Sequence, residues 1–343
     1  WRTMPREALG EGQGAGWPGL RDCIARHLAT SRGLRCDGSQ VFITTSVRSG
    51  IGLVVRALQL TQTQGWVEDP GYFGFADALK ACDVEPCMVP VDDAGLDVAA
   101  GVRDYSRAGL AIVTPNAHFP TGARMTAPRR AALMAWARTN GGWIFEDDFD
   151  SENHFDGPPA APIAASAPDV TIYMNSFSRL LFPALRIAYM VLPEPLVGAV
   201  TQVRASMDGH SNVPNQIVLS DFITNGHLDD HLRRCRRAYK SRRDTLLGAI
   251  EMELHDFLRP VQTRGGLQIV ANLAHINEDE AERVGRALDL QLTGMSRFLR
   301  TATRPPQAVL GFAGFRPADI VNGARRARAG FEALVGARRT SSI

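Results

Sequence analysis

Between residues 41 and 192 short apolar runs alternate with amphipathic helical patterns, and few folds accommodate that alternation. Val41-Phe42-Ile43-Thr44, Gly65-Trp66-Val67, residues 84–91, Leu110-Ala111-Ile112-Val113, Trp143-Ile144-Phe145, residues 170–174 and residues 187–192 read as strands. The stretches between several of them, residues 74–82 and 127–140 among them, repeat apolar residues at helical spacing. Strand–helix alternation predicts an α/β domain with a mostly parallel sheet flanked by helices. Beyond residue 192 the pattern changes. Helices are predicted over residues 196–207, 216–225 and 228–255, then strands near 267–270 and 309–312 alternate with helices over 278–287 and 317–335. With 343 residues the chain is long enough for a second, smaller α+β lobe. The expected division is an N-terminal segment, 1–40, packing on the small lobe, a large domain over 41–227 and a small domain over 228–343.

Charge and composition narrow the function. The formal net charge is +2, so bulk electrostatics do not argue for nucleic-acid binding. The arginine-rich stretch 228–255 is expected to be a solvated helix face bridging the two lobes. No run approaches the ~20 apolar residues that span a bilayer. Five scattered cysteines without Cys-x-x-Cys spacing suit reduced thiols, argue against zinc and give a cytoplasmic expectation. Lys80 and Lys240 are the only lysines.

The chemistry concentrates in residues 175–193. Two strands there are joined by a turn carrying hydroxyls at Ser176 and Ser178 and guanidinium groups at Arg179 and Arg186. Such a loop suits a phosphate. The run Thr45-Ser46-Val47-Arg48-Ser49-Gly50 lies between a strand and a helix, where backbone N–H groups of Val47 and Arg48 face an anion. Charged residues follow the apolar strand 143–145 as Glu146-Asp147-Asp148-Phe149-Asp150, at the strand end where open α/β sheets bind ligands. Tyr72 follows a proline–glycine turn, and His118 sits on the loop ending in Pro120-Thr121-Gly122.

These motifs together resemble the fold-type I aminotransferase-like domain of MocR-subfamily, GntR-type transcriptional regulators. The resemblance rests on the Glu68-Asp69-Pro70-Gly71-Tyr72 turn, the Pro-Thr-Gly loop, the Asp147-Asp148-Phe149-Asp150-Ser151-Glu152 run and the loop from Ser176 to Arg186. It implies a large domain with a mostly parallel seven-stranded sheet, a smaller α+β C-terminal domain and a homodimer. It also implies a pyridoxal phosphate (PLP) site, and DNA contact only through a domain not present in this chain. Within that site the resemblance has Tyr72 stacking on the pyridine ring, His118 as a pocket donor, Asp147 pairing with the pyridine nitrogen, and Ser176, Ser178 and Arg186 holding the phosphate.

The departures fall on the chemistry. Arg179 stands at the imine-lysine position, Phe149 replaces a tyrosine that contacts the ring oxygen, and Val309 stands where many relatives carry the arginine that grips substrate carboxylate. A guanidinium does not deprotonate in proteins, so Arg179 cannot attack an aldehyde. The expected function is a non-catalytic effector or dimerisation domain that binds a small anionic ligand, or PLP non-covalently. The alternative is a standalone enzyme of a biosynthetic pathway that works without a PLP imine. Arg179 is expected to fill the cofactor site and pair with Asp147, directly or through water.

Overall fold

A computed structural model describes residues 4–155, 157, 159–261 and 265–341. Its strands are β1 Val41–Thr44, β2 Gln64–Asp69, β3 Glu85–Asp92, β4 Gly95–Leu96, β5 Ala108–Val113, β6 Trp143–Asp147, β7 Thr171–Ser176 and β8 Ala188–Val191. Four more follow, β9 Leu258–Pro260, β10 Gln268–Leu273, β11 Leu292–Gly294 and β12 Gln307–Gly311. The helices are α1 Pro18–Ser31, α2 Val47–Ala57, α3 Phe73–Lys80, α4 Val98–Asp104, α5 Ala127–Asn140, α6 Phe177–Leu180, α7 Glu194–Met207, α8 Val213–Thr224, α9 His227–Ala249, α10 Glu278–Ala287 and α11 Pro317–Ser341.

The large sheet has eight strands in the order β1-β8-β7-β6-β5-β2-β3-β4, not seven. The extra one is β4, two residues that fold back on β3 across a tight hairpin. β8 is antiparallel to both of its neighbours, β1 and β7, while β7, β6, β5, β2 and β3 pair in parallel. Successive strand residues point to opposite faces, and both faces are buried. Phe42, Val67, Leu110, Ile112, Phe145, Ile172, Met174 and Met190 pack on one side with α2, α3 and α7. Their neighbours face the other side, where Trp66, Ala111, Val113 and Ile144 meet α4 and α5, and Val41, Ile43, Tyr173 and Tyr189 meet α1 and α8.

The small lobe carries an antiparallel sheet, β11-β12-β10-β9, covered by α10, α11 and the end of α9. Leu228 and Leu232 of α9 belong to the large-sheet core, whereas Leu246 and Ala249 belong to the small-lobe core. The helix therefore bridges the lobes, and no chain break separates them at residue 228. Arg233, Arg234 and Arg237 lie on its exposed face. The N-terminal segment departs from expectation: Leu20, Ile24 and Leu28 of α1 pack on the large sheet, not the small lobe. An amphipathic helix buries its stripe on the nearest uncovered apolar surface, here the β1–β8 end of the sheet.

Candidate functional site

The carboxyl ends of β2, β6 and β7 and the start of α2 open on one cavity of about 520 Å³. Val47, Arg48, Tyr72, Asp147, Phe149, Ser176, Ser178, Arg179 and Arg186 all line it. Eight of these are the expected ligand contacts, and the ninth is Arg179. Thr45, Ser46, Phe75, Phe119, Met174, Asn175 and Pro183 complete the wall and were not among the expected contacts. They neighbour the quoted motifs, but nothing in their residue type marks them as facing inward.

Two elements build the anion end. Ser46 caps α2, accepting from Ser49 N–H at 3.2 Å while the Ser49 hydroxyl accepts from Ser46 N–H at 3.1 Å. The N–H groups of Val47 and Arg48, the first two helical residues, have no acceptor within the helix. Opposite them, the Ser178 hydroxyl accepts from Ile187 N–H at 3.1 Å and so closes the β7–β8 loop. Arg186 occupies left-handed backbone space, φ 53°, and turns the chain into β8. Helix-terminal N–H groups and a guanidinium around one space favour an anion.

The opposite wall is aromatic. Tyr72 meets Phe75 and Phe119 edge-on at 5.3 and 6.4 Å, and the Arg48 guanidinium lies over the Tyr72 ring at 5.7 Å. Gly71 is required before it: a Cβ there would meet the Glu68 carbonyl oxygen at 2.2 Å. The turn is pinned to the small lobe, because the Asp69 carboxylate accepts from the N–H groups of Arg300, Thr301 and Ala302 at 2.7–2.8 Å.

Asp147 is 7% exposed, and its carboxyl makes no hydrogen bond or ion pair among the described residues. Burial raises its pKa well above the ordinary carboxylate value, reinforced by Asp148, Asp150 and Glu68; Arg179 opposes the shift. The direct Arg179–Asp147 contact is not formed. Arg179 contacts Asp150 instead, Nε at 3.3 Å and Nη2 at 3.4 Å, and its guanidinium lies over the Phe149 ring at 5.5 Å. Asp150 is itself buried, and the strand's end turn delivers it to the Arg179 side, whereas Asp147 still belongs to β6. Lys80 ends α3 and Lys240 lies in α9, and neither lines the cavity.

Two expected site residues lie elsewhere. Val309 is buried in β12 against Val270 and Met295. His118 is buried behind the wall, its Nδ1 2.7 Å from Thr121 Oγ1 and its Nε2 3.6 Å from Glu68. Burial, with Arg304 adding to it, lowers the His118 pKa to about 3, so the ring is neutral. Glu68 accepts from the Thr114 N–H and hydroxyl, yet burial raises its pKa to about 7.

These two groups act on stability in opposite directions. The native state holds the Glu68 proton more tightly than the unfolded chain, so its contribution is lost as pH rises from about 4.5 to about 7. Native His118 releases its proton more readily than the unfolded chain, so its contribution grows as pH rises from about 3 to about 6.5. Glu68→Gln removes only the first. The urea midpoint of that variant relative to wild type is expected to rise with pH across the Glu68 window; a flat difference would show an ordinary carboxyl.

Residues 6–294 match the aminotransferase class I and II family. The chain belongs to that family. Its curated relatives include regulators of the MocR type. It is 32% identical over 324 residues to the probable rhizopine catabolism regulatory protein MocR of Rhizobium meliloti, covering 93% of this chain and 65% of that protein. It is 30% identical over 331 residues to the uncharacterized HTH-type transcriptional regulator YdeL of Bacillus subtilis, covering 96% and 69%. The chain thus spans about two thirds of these relatives' length. The kynurenine aminotransferase of Pyrococcus horikoshii shares the fold, with a TM-score of 0.85 at 22% identity over 97% of this chain and 85% of that one.

Proposed function

We propose that this chain is the ligand-sensing, aminotransferase-fold part of a MocR-type transcriptional regulator, and that it holds a small phosphorylated ligand without a covalent bond. One observation carries the reading: the ligand cavity keeps an anion end, an aromatic wall and a free carboxyl, but its loop presents Arg179 and no lysine lines it. PLP fits these residues. Ser176, Arg186 and the α2 N–H groups would hold its phosphate, Tyr72 would flank its ring, and Asp147 would take the protonated ring nitrogen. In aminotransferases that ring supplies an electron sink; here no lysine amine lines the cavity to couple it covalently.

In this reading the large domain holds the ligand, and the small lobe, reached along the bridging helix α9, responds to it. The assembly is a cytoplasmic homodimer, and DNA contact belongs to a part of the regulator other than these residues. Among the described residues no helix is long and apolar enough to cross a membrane. A catalytic reading without an imine has Asp147 behind it, because a buried carboxyl with a raised pKa in a cleft is a candidate proton donor.

PLP is expected to raise the thermal midpoint, since it binds only the native state. Arg186→Ala, which removes a charge-assisted hydrogen bond, should weaken PLP binding about tenfold. A thermal midpoint that neither PLP nor inorganic phosphate moves would rule out the phosphate cup.

A further inference from the structure

The small-lobe segment between β11 and β12 crosses back to the ligand cavity, and both of its feet are fixed on α10. Glu278 accepts from Ser296 N–H at 2.8 Å and from Gln307 N–H at 2.9 Å. Glu282 accepts from Gly294 N–H at 2.8 Å and from Arg297 Nε and Nη2 at 2.7 and 2.6 Å. Met295 packs with Val270 and Val309 of the small sheet, and Phe298 and Leu299 lie against them. The middle of the segment then meets the turn that carries Tyr72.

That meeting is built from hydrogen bonds and rings. The buried Asp69 carboxylate accepts from the N–H groups of Arg300, Thr301 and Ala302 and from the Thr301 hydroxyl at 2.9 Å. Gly71 N–H donates to the Phe298 carbonyl at 3.1 Å. The Phe298 ring meets Phe119 edge-on, with centroids 5.1 Å apart. Phe119 in turn lines the cavity and meets both Tyr72 and Phe149 edge-on. Hydrogen bonds to an ionised carboxylate are the strong kind, and breaking buried ones strands polar groups. The aromatic wall of the cavity is thus held in place from the small lobe.

We propose that residues 295–302 act as a strap that positions this aromatic wall for the ligand and carries the ligand's occupancy to α10. The proposal rests on the PLP reading and gives it a direct route into the small lobe beside α9. Tyr72 and Phe119 supply the contact surface; Asp69 and Phe298 do not line the cavity and act through them as positioning residues. A wall already held in its binding geometry costs less to order, so an engaged strap raises affinity for a ring. Such coupling is reciprocal: a ring that binds more tightly with the strap engaged favours the engaged strap by the same factor. The anion end is built by other elements, α2 and the β7–β8 loop, so inorganic phosphate gains nothing from the strap.

Calorimetric titration and backbone hydrogen exchange, each with PLP and with inorganic phosphate, test this. In wild-type protein PLP is expected to slow exchange of the amides of residues 300–302 several-fold, and inorganic phosphate to leave them unchanged. Asp69→Asn should raise the PLP dissociation constant several-fold at unchanged phosphate affinity, a split that general damage to the fold does not produce. Phe298→Leu, which keeps the Asp69 bonds, should give a smaller change of the same kind. In a Tyr72→Ala background the Asp69→Asn effect should shrink, because the strap acts through that ring. The proposal alone is overturned if PLP binds wild-type protein and leaves exchange at 300–302 unchanged. It is also overturned if both strap variants bind PLP as wild type does, or lose PLP and phosphate together. Absence of PLP binding to wild-type protein overturns the PLP reading and the strap with it.

Discussion

Arg179→Lys is expected to convert a protein that PLP cannot modify at residue 179 into one that carries the cofactor there covalently. The wild-type guanidinium lines the cavity, lies over Phe149 and contacts Asp150, but it retains its proton and has no lone pair to offer an aldehyde. A lysine on the same short helix, α6, starts from the same backbone site at the end of β7 and reaches into the same space. Its amine deprotonates readily when desolvated and then acts as a nucleophile. After incubation with PLP and borohydride, peptide mass mapping should find no label on wild-type residue 179 and a substantial labelled fraction in the variant. Phe149→Tyr in the same chain should raise that fraction, because a phenol supplies a hydrogen bond that Phe149 withholds. Wild-type protein labelled at any residue lining the cavity would contradict the non-covalent reading. An unlabelled Arg179→Lys variant that still binds PLP would show that residue 179 does not reach the carbonyl carbon.

The largest effect on stability is expected from Arg32. Its Nε and Nη2 donate to the two oxygens of Asp148 at 2.8 and 3.1 Å, and both side chains are almost fully buried. Asp148 also accepts from the Tyr173 hydroxyl at 2.8 Å and from Asn116 Nδ2 at 2.5 Å. This arrangement ties the residue just past α1 to the residue that follows Asp147 beside the cavity. Removing one member of a buried pair leaves the other charge uncompensated, so Arg32→Ala should cost ~3–5 kcal/mol. The exposed Arg138–Asp169 pair has similar distances, 2.7 and 2.9 Å, but is open to water. Arg138→Ala should leave the urea midpoint unchanged within error, because solvent screens such pairs. Equal effects of the two substitutions would show that burial adds nothing to the Arg32 pair. Arg32→Lys, which keeps the charge and loses the fork, should fall between them.

Much of the fold was written in local periodicity. Ala127–Asn140 occurs where its helical pattern predicted, bounded by Thr126 and by Gly141 in left-handed space, φ 63°. β1, β5, β6 and β7 lie on the apolar runs that announced them. Each of these elements buries side chains at a spacing set by its own backbone, so short stretches carry enough information. The grouping of Val47, Ser176 and Ser178 around one cavity was legible for the same reason: they sit on turns and a helix start formed within a few residues of themselves.

What the sequence could not determine depends on meetings between distant segments. Which carboxylate Arg179 contacts is decided by how β6 ends beside β7, a parallel pairing of strands separated by more than twenty residues. That pairing brings Asp150 to the guanidinium and leaves Asp147 without a partner. The family resemblance put His118 and Val309 at the pocket, yet the packing of their loop and strand buries both away from the cavity. The fit of α1 on the large sheet, the bridging course of α9 and the meeting of Asp69 with residues 300–302 likewise arise only once the lobes pack together. Backbone propensity acts over a few residues, whereas burial and charge pairing act wherever the chain folds back on itself. The sequence determined the elements and the chemistry at their ends; the tertiary structure decided which of those groups face one another.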